Sequence, residues 1–120
     1  MKDLKLPESE YRFVKLIWQN EPISSKNLVS QCEKELDWKK STTYTVLKRL
    51  CDKGIVSNEN SCITSLVKQA EVQRFESAEL ITRSFDGSLP QFFVAFMSGK
   101  KLSDREAERL KQLIDAYKEE

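Results

Sequence analysis

The sequence has no histidine, only three glycines and only three cysteines in 120 residues, and each shortage removes a class of function. Without histidine there is no imidazole general base, no His zinc ligand and no His-containing triad. No GxGxxG or GxxxxGK[ST] run occurs, and so few glycines make a phosphate cradle hard to build. Cys32, Cys51 and Cys62 are odd in number and widely spaced. They fit neither a paired disulfide framework nor a CxxC metal site, and read as small apolar residues in a reducing compartment. No apolar run approaches the ~18 residues of a membrane span, and MKDLKLPESE has neither the apolar core nor the cleavage site of a signal peptide. The expectation is a cytoplasmic protein that is not an enzyme, with no metal, no cofactor and no small-molecule ligand evident.

What is present points to helices. Hydrophobic residues make up 39% of the chain and charged residues 32%, the profile of a helix-rich fold. A chain of this length can bury roughly two thirds of its unfolded surface, enough for one domain or a small domain with an appendage. The net charge is only +1, but it is unevenly spread. Between Trp38 and Lys53 the cations Lys39, Lys40, Lys48, Arg49 and Lys53 face a single acid, Asp52, a local excess of the kind nucleic-acid binding needs.

The frame around that segment is readable. Pro7, Glu8 and Glu10 start a first helix whose Phe13, Val14, Ile17 and Trp18 recur at helical spacing until Asn20-Glu21-Pro22 stops it. Ser24 caps a second helix, with Ile23 and Leu28 placed as a hydrophobic staple and Leu28, Cys32 and Leu36 as its stripe. After Asp37 and Trp38 a third helix runs to Gly54. With Leu47 pointing inward, Thr43, Leu50 and Cys51 fall on the buried side and Val46 at its margin. Tyr44 lies on the flank, and Ser41, Thr42, Thr45, Lys48, Arg49 and Asp52 share the opposite face. Ser and Thr are poor helix-interior residues because their hydroxyls compete for backbone partners, so this face is unusual for a merely solvated helix. Short hydroxyls let a backbone approach a DNA groove and can meet base edges or phosphates, while lysines and arginine neutralise phosphate. Lys40, Ser41, Thr42, Tyr44, Thr45, Lys48 and Arg49 are therefore the candidate DNA contacts.

After Gly54 the period changes. Ile55-Val56, the turn-rich Asn58-Glu59-Asn60-Ser61 and β-favouring Cys62-Ile63-Thr64 read as a hairpin. Three helices followed by a hairpin make a winged helix-turn-helix over residues 1–68, with the third helix as the recognition helix. The fold class is mainly α with a small β-hairpin.

Residues 69–120 read as helices with more apolar surface than they can cover. Val72, Phe75, Ala78, Leu80, Ile81 and Phe85 lie on a long helix broken at Asp86-Gly87-Ser88, and LPQFFVAFM makes a dense apolar helix started by Pro90. Ser103 and Glu106 cap a last helix with stripe Leu110, Leu113, Ile114 and Tyr117. A tail this short seldom closes its own core. Two copies around a two-fold axis would bury it, so Phe75, Leu89, Phe92, Phe93, Phe96, Leu110, Leu113 and Ile114 are the candidate dimerisation residues of a homodimer that presents two recognition helices to a double-stranded operator.

The order LPESEYRFVKLIW, DWKKSTTYTVLKRLCDKGIV, FDGSLPQFFVAFM, LSDREAERLKQLI resembles the penicillinase-repressor family of bacterial transcriptional repressors over nearly the whole chain. The resemblance implies a homodimer with an N-terminal winged helix and a C-terminal helical dimerisation region. It also implies repression of β-lactam-resistance genes, relieved when a membrane sensor leads to proteolysis in the dimerisation region. Three departures stand out. The wing Ser57-Asn58-Glu59-Asn60-Ser61 has no cation where the family usually has Lys or Arg. The Asn-Phe pair at which members are cleaved falls at Ala95-Phe96. The tail lacks the CxC pairs of copper-responsive relatives. Two alternatives stay open on sequence: a winged-helix regulator answering another signal, and a protein-interaction module that has lost DNA binding.

Overall fold

The computed structural model describes residues 3–119. Along the chain run α1 (Glu8–Asn20), β1 (Ile23–Ser24), α2 (Ser25–Leu36), α3 (Lys40–Asp52), β2 (Val56–Glu59), β3 (Cys62–Ser65), α4 (Gln69–Phe85), α5 (Leu89–Met97) and α6 (Asp104–Ala116). Contacts divide them into two compact units, one ending at Leu80 and the other beginning at Ile81. The expected boundary at 68/69 lies before α4, whereas this division falls inside it. Val72 supplies the reason, since it is fully buried in the same core as Phe13, Leu28 and Ile63. No helix among the described residues is long and apolar enough to cross a membrane.

In the first unit α1 buries Phe13, Val14, Leu16 and Ile17, the i, i+1, i+3, i+4 face its sequence pattern requires. Trp38, in the α2–α3 connection, stacks on Phe13 at 5.5 Å between ring centroids. The Trp18 indole N–H donates to the Val67 carbonyl at 2.9 Å, joining α1 to the segment after β3. Ser24 caps α2 by accepting from the Asn27 N–H at 3.1 Å, and Ile23 and Leu28 are both buried, as a staple needs. Asp37 closes α2 in the left-handed region, at φ 56.

Helix α3 buries Thr43, Val46, Leu47 and Leu50 and leaves Cys51 half-buried. The sequence reading is corrected here. The middle of the buried arc falls between Thr43 and Leu50, which draws Val46 inside and rotates Cys51 to the edge. Gly54 sits at φ 77, a left-handed conformation that ends α3 at little steric cost.

The hairpin gains a third strand. The antiparallel order is β1-β3-β2, with Ile23 opposite Ile63 and Ser24 opposite Cys62 on one side and Asn58 opposite Ile63 and Glu59 opposite Cys62 on the other. The expected four-residue turn shrinks to Asn60-Ser61, whose φ angles of 53 and 63 suit a two-residue I′ turn. A further polar tie holds the sheet to α1. The Glu21 carboxylate accepts from the Ser65 N–H at 2.9 Å and from the Ser65 hydroxyl at 2.8 Å, with the Lys68 ammonium 3.6 Å away. Burial opposes ionisation of Glu21, but these donors and the lysine charge outweigh it and hold the carboxyl below its ordinary value.

The second unit is built differently. Ser88 caps α5 through the Gln91 N–H and Ser103 caps α6 through the Glu106 N–H, both at 3.1 Å. Phe85 meets Phe92 edge-on at 5.4 Å, and Phe92 stacks on Phe96 at 5.9 Å. Yet no residue of α5 or α6 is buried. Helix α5 has aromatic contacts, but neither it nor α6 has a core.

Candidate nucleic-acid interface

The exposed side of α3 forms because its other side is committed. With Thr43, Leu47 and Leu50 in the core, the 3.6-residue period leaves Ser41, Thr42, Thr45, Lys48 and Arg49 outward, and all five are exposed, with Lys40 beside them. Tyr44 sits on the flank as expected, 38% exposed. The structure thus gathers all seven predicted DNA contacts on one helix surface.

The hydroxyls divide into two kinds. Thr43 donates to the Lys39 carbonyl at 3.3 Å and Thr45 to the Ser41 carbonyl at 2.9 Å, the back-bonding that reconciles Ser and Thr with a helix interior. Thr45 has therefore spent its proton and keeps lone pairs and a methyl group for an outside partner. Ser41 and Thr42 make no side-chain hydrogen bond within the described residues, so both remain available as donors. The helix start is open too. Helices α2, α5 and α6 carry serine caps, whereas α3 begins at Lys39 with no side-chain cap and no acid in its first turn. Its first N–H groups and positive dipole end are left for an anion.

The two cations further along are not equivalent. Lys48 pairs with Asp52 at 3.4 Å, with both side chains mostly exposed, a contact worth little against solvent. Arg49 Nη1 lies 2.7 Å from Glu10 Oε2 on α1, and the Glu10 side chain is only 8% exposed. Sequence reading missed Glu10. The signal was an acid at the i position of the i, i+3, i+4, i+7 stripe that continues through Phe13, Val14 and Ile17, where an apolar residue belongs.

Beside α3 stands the wing. Tyr44, Leu47, Lys48, Cys51 and Asn58 line a shallow cleft of about 420 Å³ between α3 and β2. The wing tip carries Glu59, Asn60 and Ser61, all exposed, and no cation. Where the thiols are covered their environment disfavours the reactive thiolate: burial pushes Cys32 up to about 11, with the Thr43 hydroxyl opposing the shift, and burial with the neighbouring Asp52 raises Cys51. Cys62 is exposed on β3.

Of the predicted dimerisation residues, Leu89, Phe93, Phe96, Leu113 and Ile114 are exposed, while Phe92 and Leu110 are half-buried. Phe75 is half-buried on α4 within the first unit, apart in the chain from the others. Ala95 and Phe96 both lie inside α5, so the peptide bond between them is helical. Lys100 covers one side of the Phe96 ring, its ammonium 4.4 Å from the centroid.

Comparison with known proteins agrees with this architecture. The chain is 24% identical over 118 residues to the methicillin resistance regulatory protein MecI of Staphylococcus aureus, covering 95% of this chain and 96% of that protein. It is 22% identical over 118 residues to the penicillinase repressor of Bacillus licheniformis, covering 95% and 92%. An uncharacterised 16.5 kDa protein of Latilactobacillus sakei matches at 23% over 116 residues, covering 93% and 80%. The family model described as penicillinase repressor matches residues 6–116, so with its winged unit and helical second unit the chain belongs to the penicillinase repressor family, whose members are DNA-binding regulators and not enzymes.

Proposed function

We propose that this protein is a homodimeric, sequence-specific repressor that lays α3 in the major groove of a double-stranded operator and is released when the second unit is cut. The carrying observation is the surface of α3: uncapped at its start, with hydroxyls at Ser41 and Thr42 and a weakly held cation at Lys48 on a helix whose opposite side is fully buried. Such a face offers phosphate contacts for affinity and short polar side chains for base edges. Pairing follows from α5 and α6, which bury nothing and expose Leu89, Phe93, Phe96 and Ile114. A second copy covering that stripe links two half-sites, so each gains from the effective concentration set by the other.

Release by proteolysis at Ala95-Phe96 requires more than access. Proteases bind extended chain, and this bond is helical, so α5 must unwind first. A nine-residue helix with no buried residue has little to hold it against local opening. Pairing with a second copy would protect it. A regulatory protease, or a membrane sensor leading to one, is therefore the partner this reading assigns. The names of the relatives point to antibiotic-resistance genes as the regulated class.

One observation favours a second reading. The wing has no cation and carries Glu59, as expected of a winged helix turned to protein interaction. Fluorescence anisotropy with DNA from upstream of the gene separates the two. The repressor reading expects preference for one sequence, steep weakening with salt, a slope shallower by about 0.9 for Lys48→Ala, and relaxed preference for Thr42→Val. Binding with neither sequence preference nor salt dependence would sink it.

A further inference from the structure

The geometry points to Glu10 as a positioning residue that turns Arg49 from a phosphate clamp into an oriented, sequence-reading donor on α3. The inference rests on the reading of α3 as the DNA-facing helix. Glu10 is buried on α1 with its Oε2 gripping Arg49 Nη1 at 2.7 Å, while Oε1 is buried with no hydrogen-bond partner among the described residues. A buried carboxylate stripped of the cation that holds it is left uncompensated in a low-dielectric site. Arg49 cannot swing out to neutralise a phosphate without stranding Glu10. Its charge is already spent.

What remains of Arg49 is geometry. A guanidinium carries five N–H donors in a rigid fork, and one nitrogen held by Glu10 fixes the plane of the others. The side chain is 52% exposed, so part of the fork faces out. At 100° per residue Arg49 lies about 20° around the helix from Thr42 and about 40° from Thr45, on the same face. Lys48, by contrast, is held only by exposed Asp52, and can exchange that partner for a phosphate at little cost. Adjacent cations are thereby given separate tasks: Lys48 supplies salt-dependent affinity, and Arg49 supplies orientation.

Anisotropy titrations over a range of salt, with operator and with scrambled DNA, test this on wild type, Lys48→Ala, Glu10→Gln, Arg49→Ala and the double variant Glu10→Gln with Arg49→Ala. Lys48→Ala should make the salt slope shallower by about 0.9 and keep the preference for operator. Arg49→Ala should leave the slope unchanged and reduce the preference on the order of 5- to 150-fold. Glu10→Gln should make the slope steeper by about 0.9, because the freed arginine joins the phosphate contacts, and should reduce the preference by a similar factor. The double variant should match Arg49→Ala, and since it leaves no buried charge unpaired it remains informative if a single variant unfolds. Glu10 has no positioning role if Arg49→Ala lowers the slope as Lys48→Ala does, if Glu10→Gln changes neither quantity, or if the double variant keeps full preference. If wild type itself shows no preference and no salt dependence, the DNA-facing reading fails and this inference falls with it, an outcome visible before any variant is measured.

Discussion

Replacing Phe96 with alanine should break the proposed dimer, and the size of the effect can be worked from the surface it leaves open. A phenylalanine offers ~150–250 Å² for burial. Phe96 is 55% exposed in the single chain, leaving roughly 100 Å² for a partner to cover. At ~25 cal/mol per Å² that is about 2.5 kcal/mol per protomer, an upper figure. A two-fold axis uses the position twice, so the dimer stands to lose up to ~5 kcal/mol, or between roughly three and four powers of ten in its dissociation constant. Phe96 also stacks on Phe92 and lies under Lys100, so truncation disturbs the second unit as well as the interface. Phe93→Glu separates these effects. Phe93 is 46% exposed and has no aromatic partner among the described residues, so glutamate there is solvated in a monomer but buries two like charges in a dimer. Sedimentation velocity over a range of concentrations, with circular dichroism on the same samples, is the assay. Both variants should sediment as monomers, Phe93→Glu with helical content retained, and their operator affinity should collapse. A Phe93→Glu protein that remains a dimer with an unchanged dissociation constant would refute the assignment of α5 to the interface.

The wing offers a gain-of-function test: Asn58→Lys should strengthen DNA binding chiefly at low salt, with a slope steeper by about 0.9. Asn58 is the better site because Asn60 sits at φ 53, where lysine would be strained; unchanged affinity at low salt would mean that β2 stays away from the DNA. A thiol reagent at neutral pH should modify Cys62 quickly, Cys51 slowly and Cys32 only on unfolding, in line with their exposure and the upward shifts of the two covered thiols; mass spectrometry of timed samples reads the order. Glu21, held below its ordinary 4.5 in the fold, binds its proton more readily when unfolded. Its stabilisation is complete above that value and fades as pH falls through the lower folded value. Thermal unfolding from pH 6 to 3 should show that loss, and Glu21→Gln should flatten it.

The elements that were legible in the sequence are those whose signals are local. Ser24 and Ser103 each stand one residue before a helix and cap it as expected, and Gly54 ends α3 where its freedom is needed; Ser88, read only as part of a break, also caps α5. Strand β1 was not legible, because two residues carry no period; only pairing with β3, some forty residues on, makes Ile23-Ser24 a strand. The turn was placed too wide for a related reason. Asn58 and Glu59 are turn-favouring by composition, but their pairing with Ile63 and Cys62 keeps them in the ladder. The inward direction of α3 was off by part of a turn because one apolar residue, Leu47, set the reference, whereas the core is centred between Thr43 and Leu50.

The same limit governs the site, and it changes the electrostatic argument. From sequence, Lys39, Lys40, Lys48, Arg49 and Lys53 face Asp52 alone, an excess of four positive charges on one helix. In the fold, Glu10 from 39 residues earlier reaches Arg49, and the excess drops to three. Nothing within α3 announces that partner. Glu10 could be suspected only from its own neighbourhood, as a carboxylate in the stripe that carries Phe13, Val14 and Ile17 into the core. A buried acid at such a position must find a cation or stay neutral, and among the described residues the cation that meets it, Arg49, is on the helix proposed to face DNA. The pairing therefore lowers the field that draws α3 to any DNA while fixing one donor for a particular DNA. A helix with a weak basic surplus and a wing without cations depends on that exchange: with less sequence-independent attraction than its charge count suggests, more of its discrimination must come from oriented contacts by Thr42, Thr45 and Arg49.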